Sequence, residues 1–216
     1  MLRIKVWCLG LKGEGDAKSL KIFFATRNRD KLKEVQAILS SYGISVEWLE
    51  TGKLEVQTDS LRKIARVGVL SLSLKGWSPV LVEDTGLFIE ALKGFPGPYS
   101  SYVYRTIGNK GVLRLMEGVQ NRKAVFRCVV AYRSRGGKPL TFQGEAWGTI
   151  AYEERGVHWG FDPIFEHGEA GGLTYAEMGS AKKNTLSHRR KALDKFADWY
   201  LMGGGLKQGL NMNPAR

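Results

Sequence analysis

Two adjacent acids, Glu83 and Asp84, follow the apolar run Pro79-Val80-Leu81-Val82, which reads as a buried strand ending at Glu83. A carboxylate at the carboxyl end of a strand lies where α/β sheets hold their ligands. It suits a hard divalent cation such as Mg²⁺, which takes one or two carboxylates and keeps several waters. Side chains alternate along an extended chain, so Glu83 and Asp84 point to opposite faces and do not share one ion. The competing reading is a strand that ends in a polar turn. A further acid, Glu55 in the loop-like run Leu54-Glu55-Val56-Gln57, reaches Asp84 only if the fold brings it there.

A second segment suits phosphate. Thr26-Arg27-Asn28-Arg29-Asp30-Lys31 joins a short β-prone run to a helix. Free backbone N–H groups and the helix dipole at such a junction favour an anion. Thr26 and Asn28 add short donors and Lys31 a mobile charge; the other reading is an ordinary capped turn with Lys31 solvated. Gly13 to Ser19 only imitates a phosphate loop, because Ala17 and Lys12 stand where its glycines are required. Trp159-Gly160-Phe161-Asp162 sets two rings around a glycine, as a flat base needs or as core aromatics at a turn do. Lys183-Asn184-x-x-Ser187-His188-Arg189 puts basic residues in the first turn of a helix, against its dipole. An anionic or acceptor-rich neighbour accounts for them, and so does solvation.

Recognisable elements are available to position these groups. Lys21–Ala25, Ser45–Leu49, Pro79–Glu83 and Ala124–Tyr132 read as strands. Arg135-Gly136-Gly137-Lys138 turns the last of them into a hairpin with Leu140–Gly144, and Trp147–Tyr152 extends the sheet. Helices are predicted at Lys31–Ser40 capped by Asp30, at Leu61–Leu74, at Asn109–Met116 and from Ser187 to Leu201. The first carries the stripe Leu32, Val35, Ile38 and Leu39; the last carries Ala192, Leu193, Phe196, Ala197 and Tyr200. Helices interspersed with strands, plus a hairpin, define a mixed α/β sheet.

Composition narrows the class. In 216 residues there are 33 Lys and Arg against 21 Asp and Glu, a net charge of +12 that attracts polyanions of every kind. No apolar run is long enough for a membrane span, and the start shows no cleavage site for a secretory signal. Cys8 and Cys128 are too few for a disulfide framework or a structural zinc site, and three histidines are too few for a His-rich one. The expectation is a soluble, cytoplasmic globular protein. Residues 21–202 would form one domain, with an extension at 1–20 and a glycine-rich tail at 203–216.

Four segments, taken in order, resemble the inosine triphosphate pyrophosphatase (Ham1-like) family. They are Thr26-x-Asn28-x-x-Lys31; Glu83-Asp84-Thr85-Gly86-Leu87 leading to Gly94-Phe95-Pro96-Gly97-Pro98-Tyr99-Ser100; Gly160-Phe161-Asp162-Pro163-Ile164-Phe165; and Thr174-Tyr175-Ala176-Glu177-Met178 running to Ser187-His188-Arg189. The resemblance implies an elongated α/β structure whose long twisted sheet forms two lobes around a nucleotide cleft. It implies a Mg²⁺-dependent homodimer that hydrolyses ITP, dITP and XTP to the monophosphate and pyrophosphate. Carried over by position, Thr26, Asn28 and Lys31 hold the triphosphate, and Glu55 and Asp84 hold the metal, with Asp84 the general base. Thr85 contacts substrate, and Trp159, Gly160, Phe161, Asp162, Lys183, His188 and Arg189 take the base, with Ser187 beside them. Lys31, Arg66, Lys183 and Mg²⁺ would neutralise the phosphates. Two departures stand out: Ser101 replaces a lysine found in some relatives, and Trp159 stands where phenylalanine or tyrosine is usual. A Maf-like pyrophosphatase and a basic nucleic-acid-binding module are the rival classes. The latter lacks any helix-turn-helix, zinc-finger or RNA-recognition signature, so no specific nucleic-acid partner is expected.

Overall fold

The computed structural model describes residues 22–204. The N-terminal extension and most of the C-terminal tail lie outside the described residues. Strand β1 (Ile22–Ala25) leads into helix α1 (Arg29–Ser40), followed by β2 (Val46–Leu49), α2 (Leu61–Leu74) and β3 (Val80–Ile89). The two-residue β4 (Pro96–Gly97), helices α3 (Ser100–Thr106) and α4 (Gly108–Leu115), and the long hairpin β5 (Lys123–Arg133) and β6 (Leu140–Ile150) come next. A 3₁₀ turn at Asp162–Ile164, β7 (Phe165–His167), α5 (Tyr175–Leu186) and α6 (His188–Trp199) complete the fold.

The seven strands form one mixed sheet in the order β2-β1-β3-β5-β6-β7, with β4 paired to β3. Strand β1 runs parallel to β2 and β3, and all the other pairs are antiparallel. Three apolar clusters divide this sheet into two lobes. At one end α1 and α6 cover one face through Ile22, Val35, Ile38, Leu81, Val130 and Phe196. Helix α2 covers the opposite face through Ala65, Val69, Val80, Val82 and Val129. At the other end Leu87, Ile89, Val112, Phe126, Ile164 and Tyr175 form a separate core.

Two strands run further than the sequence suggests. β3 does not stop at Glu83: it pairs with β5 from Val80↔Arg133 to Ile89↔Ala124, so the polar run Glu83 to Gly86 lies mid-strand. A continuous ladder overrides the low β-propensity of those residues. β6 likewise continues through Gly144 to Ile150 as one strand. The cap of α1 also differs from expectation. Asn28, not Asp30, is the cap, and its Oδ1 accepts from the N–H groups of Asp30 and Lys31 at 2.8 and 3.1 Å. The helix therefore begins two residues early, at Arg29. Helix α3 and the capping box of α5, in which Thr174 and Glu177 exchange bonds, add to the predicted elements.

Candidate active site

Along one edge, β3 pairs with β1 through Val80 and Leu81 and with β4 through Leu87 and Phe88. Between those pairings, Val82 to Gly86 have no strand neighbour on that edge among the described residues. A cleft of about 740 Å³ opens there, between the two lobes, and it is lined by residues of β1, β3, α3, α5, α6 and the loops after β1 and β2. Its volume is within the range of about 300–1,000 Å³ that small-molecule sites occupy. Of the site residues assigned from the sequence, Thr26, Asn28, Lys31, Glu55, Asp84, Thr85, Trp159, Gly160, Phe161, Asp162, Lys183, His188 and Arg189 all line it.

Two expected residues do not. Arg66 lies on the exposed side of α2, because Leu61, Ala65, Val69 and Leu72 turn the opposite side to the sheet. Ser187 is wholly buried below the cleft and caps α6, its Oγ accepting from the N–H of Arg190 at 3.1 Å.

Glu83 and Asp84 point to opposite faces of β3, and their environments differ accordingly. Glu83 accepts from Nε and Nη2 of Arg189, with the Nη2 contact at 3.0 Å, and pairs with Lys31 at 3.1 Å. Burial pushes its carboxyl up, but Arg189 and Lys31 outweigh that and hold it well below the usual carboxylate range. Arg189 also donates through Nη1 to Glu34. Glu34 accepts from Lys183 at 2.8 Å, and Lys183 reaches Asp162 at 2.6 Å. Lys31, Arg189 and Lys183 thus alternate with Glu83, Glu34 and Asp162, a chain without net charge along the cleft floor. Buried charges are tolerated only when paired in this way.

This pairing changes the expected division of labour. Lys31 and Lys183 already have carboxylate partners, so they are fixed in place rather than supplying surplus positive charge. The exposed Arg27 and Arg105, which sequence reasoning passed over, also line the cleft. Arg105 lies one helical turn beyond Ser101 and donates to its carbonyl at 3.3 Å, so a cation stands near the position that lacks the lysine. Glu34 was missed too, although it sits three residues after Lys31 and four before Ile38, on the same helical face. Thr26 and Asn28 first shape their loop: Thr26 Oγ1 accepts from the N–H of Asn28 at 3.0 Å.

Asp84, on the α2 face, is different. Its Oδ2 is buried without a hydrogen-bond partner among the described residues, while Oδ1 faces Lys53 Nζ at 3.4 Å. Burial raises its pKa, outweighing Lys53 and Lys31. Lys53 also contacts Glu55 at 3.0 Å and so joins the two acids. A two-carboxylate set of hard oxygens, one of them buried and unpartnered, fits a cation that takes its remaining ligands from water.

On the opposite wall the rings are unequal. Phe161 is buried in the core at the far end of the sheet and packs edge to face with Tyr104 at 5.5 Å. Trp159 is only partly buried, with Lys183 Nζ 4.9 Å and Arg189 Cζ 5.7 Å from its ring centre. His188 stacks on Phe126 at 4.7 Å, and neither ring nitrogen has a partner among the described residues. Burial, then Arg189 and Lys183, push its pKa well below the ordinary value, so it is neutral.

A mixed sheet split into two lobes, with an acid pair on one wall and buried cations and rings on the other, defines an α/β protein built to hold an anionic, ring-bearing ligand. The Ham1 family model matches residues 22–199, and the chain belongs to that family. It is 52% identical over 182 residues to the dITP/XTP pyrophosphatase of Methanopyrus kandleri, covering 84% of this chain and 96% of that one. It is 46% identical over 184 residues to the dITP/XTP pyrophosphatase of Methanosarcina mazei, covering 85% and 98%. Among solved structures, a HAM1 protein from Coxiella burnetii superposes with a TM-score of 0.73 at 29% identity, covering 85% and 99%.

Proposed function

We propose that the protein hydrolyses ITP, dITP and XTP to the nucleoside monophosphate and pyrophosphate, clearing deaminated purines from the nucleotide pool. The observation that carries this reading is Asp84, a buried acid with an unpartnered oxygen, in one cleft with the α1 N-terminus and the His188 wall. The archaeal relatives bear the name of that activity. In this reading the Thr26–Lys31 loop, with Arg27 and Arg105, binds the phosphate oxygens. Thr85 Oγ1 donates to Glu83 at 2.5 Å, and Glu83 holds Lys31 in position. Asp84 orients the attacking water and takes its proton at Oδ2. A Mg²⁺ ion bound by Asp84 and Glu55 would neutralise phosphate charge and polarise the phosphoryl group under attack.

The base would lie beside Trp159 and Gly160 and over His188 and Arg189. Arg189 uses three of its five N–H groups on Glu83 and Glu34, which leaves two, and neutral His188 keeps one N–H. Hypoxanthine and xanthine present an oxygen at C6 to these donors. Adenine presents an amino group and leaves donors facing donors. A site built around one such bond can reject the mismatched analogue by about four to five orders of magnitude.

Pyrophosphate release over a panel of nucleoside triphosphates, with Mg²⁺ and with EDTA, tests the reading. ITP and XTP should lead ATP by at least about a hundredfold in kcat/KM, with GTP intermediate or poor and EDTA abolishing turnover. Equal kcat/KM for ATP and ITP would overturn the base pocket, and no pyrophosphate from any nucleotide would overturn the reaction itself. We also propose a cytoplasmic homodimer. Exposed Tyr99, Tyr102 and Ile107, on and beside α3, offer an apolar face for it, and light scattering on the eluting protein checks the mass.

A further inference from the structure

Among the described residues, Lys53 is the cation of the cleft that pairs with both acids proposed to hold the metal. Its ammonium lies 3.0 Å from Glu55 and 3.4 Å from Asp84, and its side chain is only 8% exposed. The contact is not a chance surface pair, because the side chain has a built seat. Its stem crosses α2 at Gly68, where a Cβ would come within 2.6 Å of Lys53 Cδ and 3.3 Å of Lys53 Cβ. The next residue fixes the loop to the same helix: the Leu54 N–H donates to Ser71 Oγ at 3.2 Å, and Ser71 Oγ donates to the Gly68 carbonyl at 2.7 Å. A missing side chain on α2 and a pinned loop together aim one ammonium between two carboxylates.

We propose that Lys53 is an internal counter-ion of the acid pair, and that a divalent cation enters by displacing its ammonium from between Asp84 and Glu55. This deepens the proposed function and rests on its assignment of those two acids to the metal. An ammonium and a divalent cation compete for the same carboxylate oxygens, and two cations a few ångströms apart in a half-buried cleft repel. The metal-free cleft is thereby kept from exposing two uncompensated acids on that wall. Binding the metal then requires the ammonium to leave, and the oxygens of a triphosphate are the anions in the cleft to which it can turn. Metal and nucleotide therefore favour each other, since the nucleotide gives the displaced lysine a new partner.

The test is Mn²⁺ affinity of the nucleotide-free full-length chain, read by the loss of free Mn²⁺ signal in electron paramagnetic resonance. Wild type is compared with Lys53→Met, which keeps the stem over Gly68 and removes the charge, and with Lys53→Arg, which retains it. Lys53→Met should bind Mn²⁺ tighter by roughly tenfold or more, as removal of a unit charge within about 4 Å of the ion requires. Lys53→Arg should remain near wild type. With a non-hydrolysable triphosphate present, the gap between wild type and Lys53→Met should narrow. Equal or weaker Mn²⁺ binding by Lys53→Met overturns the counter-ion role while leaving the metal site standing. Asp84→Asn separates the two: undiminished Mn²⁺ binding in that variant removes the metal assignment itself. Should Lys53→Met not fold, Lys53→Gln measured in the same way carries the same two outcomes.

Discussion

At the scale of single residues, the cleft contrasts two acids that are neighbours in sequence. Glu83 is held ionised by Arg189 and Lys31 and has no oxygen to spare for chemistry, whereas Asp84 keeps Oδ2 unpartnered and a raised pKa. Asp84→Asn retains the shape and the contact from Lys53 but cannot accept a proton. It should fold normally and lose about two to four orders of magnitude in kcat, the usual contribution of a general base. Circular dichroism paired with pyrophosphate release checks this, and a folded variant with near-normal turnover would end the assignment. The adjacency Glu83-Asp84 was legible in the sequence, and so was the rule that sends the two to opposite faces. Which of them is the structural partner was not, because that depends on Arg189, 106 residues away.

At the scale of elements, α6 is the piece that carries His188 and Arg189 into the cleft, and its position depends on a glycine of β6. A Cβ on Gly144 would lie 2.2 Å from the His188 carbonyl oxygen and 2.4 Å from the Ala192 nitrogen. Both are backbone atoms of the helix, so no side-chain movement relieves the contact. Gly144→Ala should lift α6 from the sheet, cost about 1–3 kcal/mol as overpacking does, and lower Tm by about 2–4 °C for each kcal/mol. Because His188 and Arg189 begin that helix, kcat/KM for ITP should fall as well. Calorimetry and the same turnover assay measure both effects, and unchanged Tm would show that the helix is not seated this closely. The helices with strong apolar stripes, α1, α2 and α6, were legible from periodicity almost to their ends. The length of β3 and β6 was not, because a ladder of partners keeps polar residues and glycine extended where local propensity says turn. The cleft residues Arg27, Lys53 and Arg105 were also invisible, since a solvated lysine or arginine has the same sequence signature as one that lines a cleft.

For the whole molecule, the buried charges predict how stability responds to acid. His188 is 2% exposed and held neutral, its pKa depressed by burial first and by Arg189 and Lys183 after it, which together outweigh the opposing charge of Glu83. In the unfolded chain the same imidazole takes a proton near its ordinary value of about 6.5. Above that value neither state binds the proton and stability is flat in this respect. Below it the unfolded state gains a proton that the folded state refuses, so stability falls by about 1.4 kcal/mol per pH unit. His167, whose pKa burial also lowers, adds to the same slope. Glu83 and Glu34 act lower on the scale, since their folded pKa values are depressed below about 4.5; their contribution is present above that and lost as pH falls through it. Urea midpoints should therefore hold steady from pH 8 to 7, drop between pH 6.5 and 5, and drop more steeply below about 4.5. In His188→Gln, which removes the titrating ring, the protein should start less stable at pH 8 but lose clearly less between pH 6.5 and 5, with His167 accounting for the remaining slope. An identical slope in wild type and His188→Gln would mean that the histidine under the cleft takes up its proton without unfolding, and that the two lobes open readily enough to let water reach it.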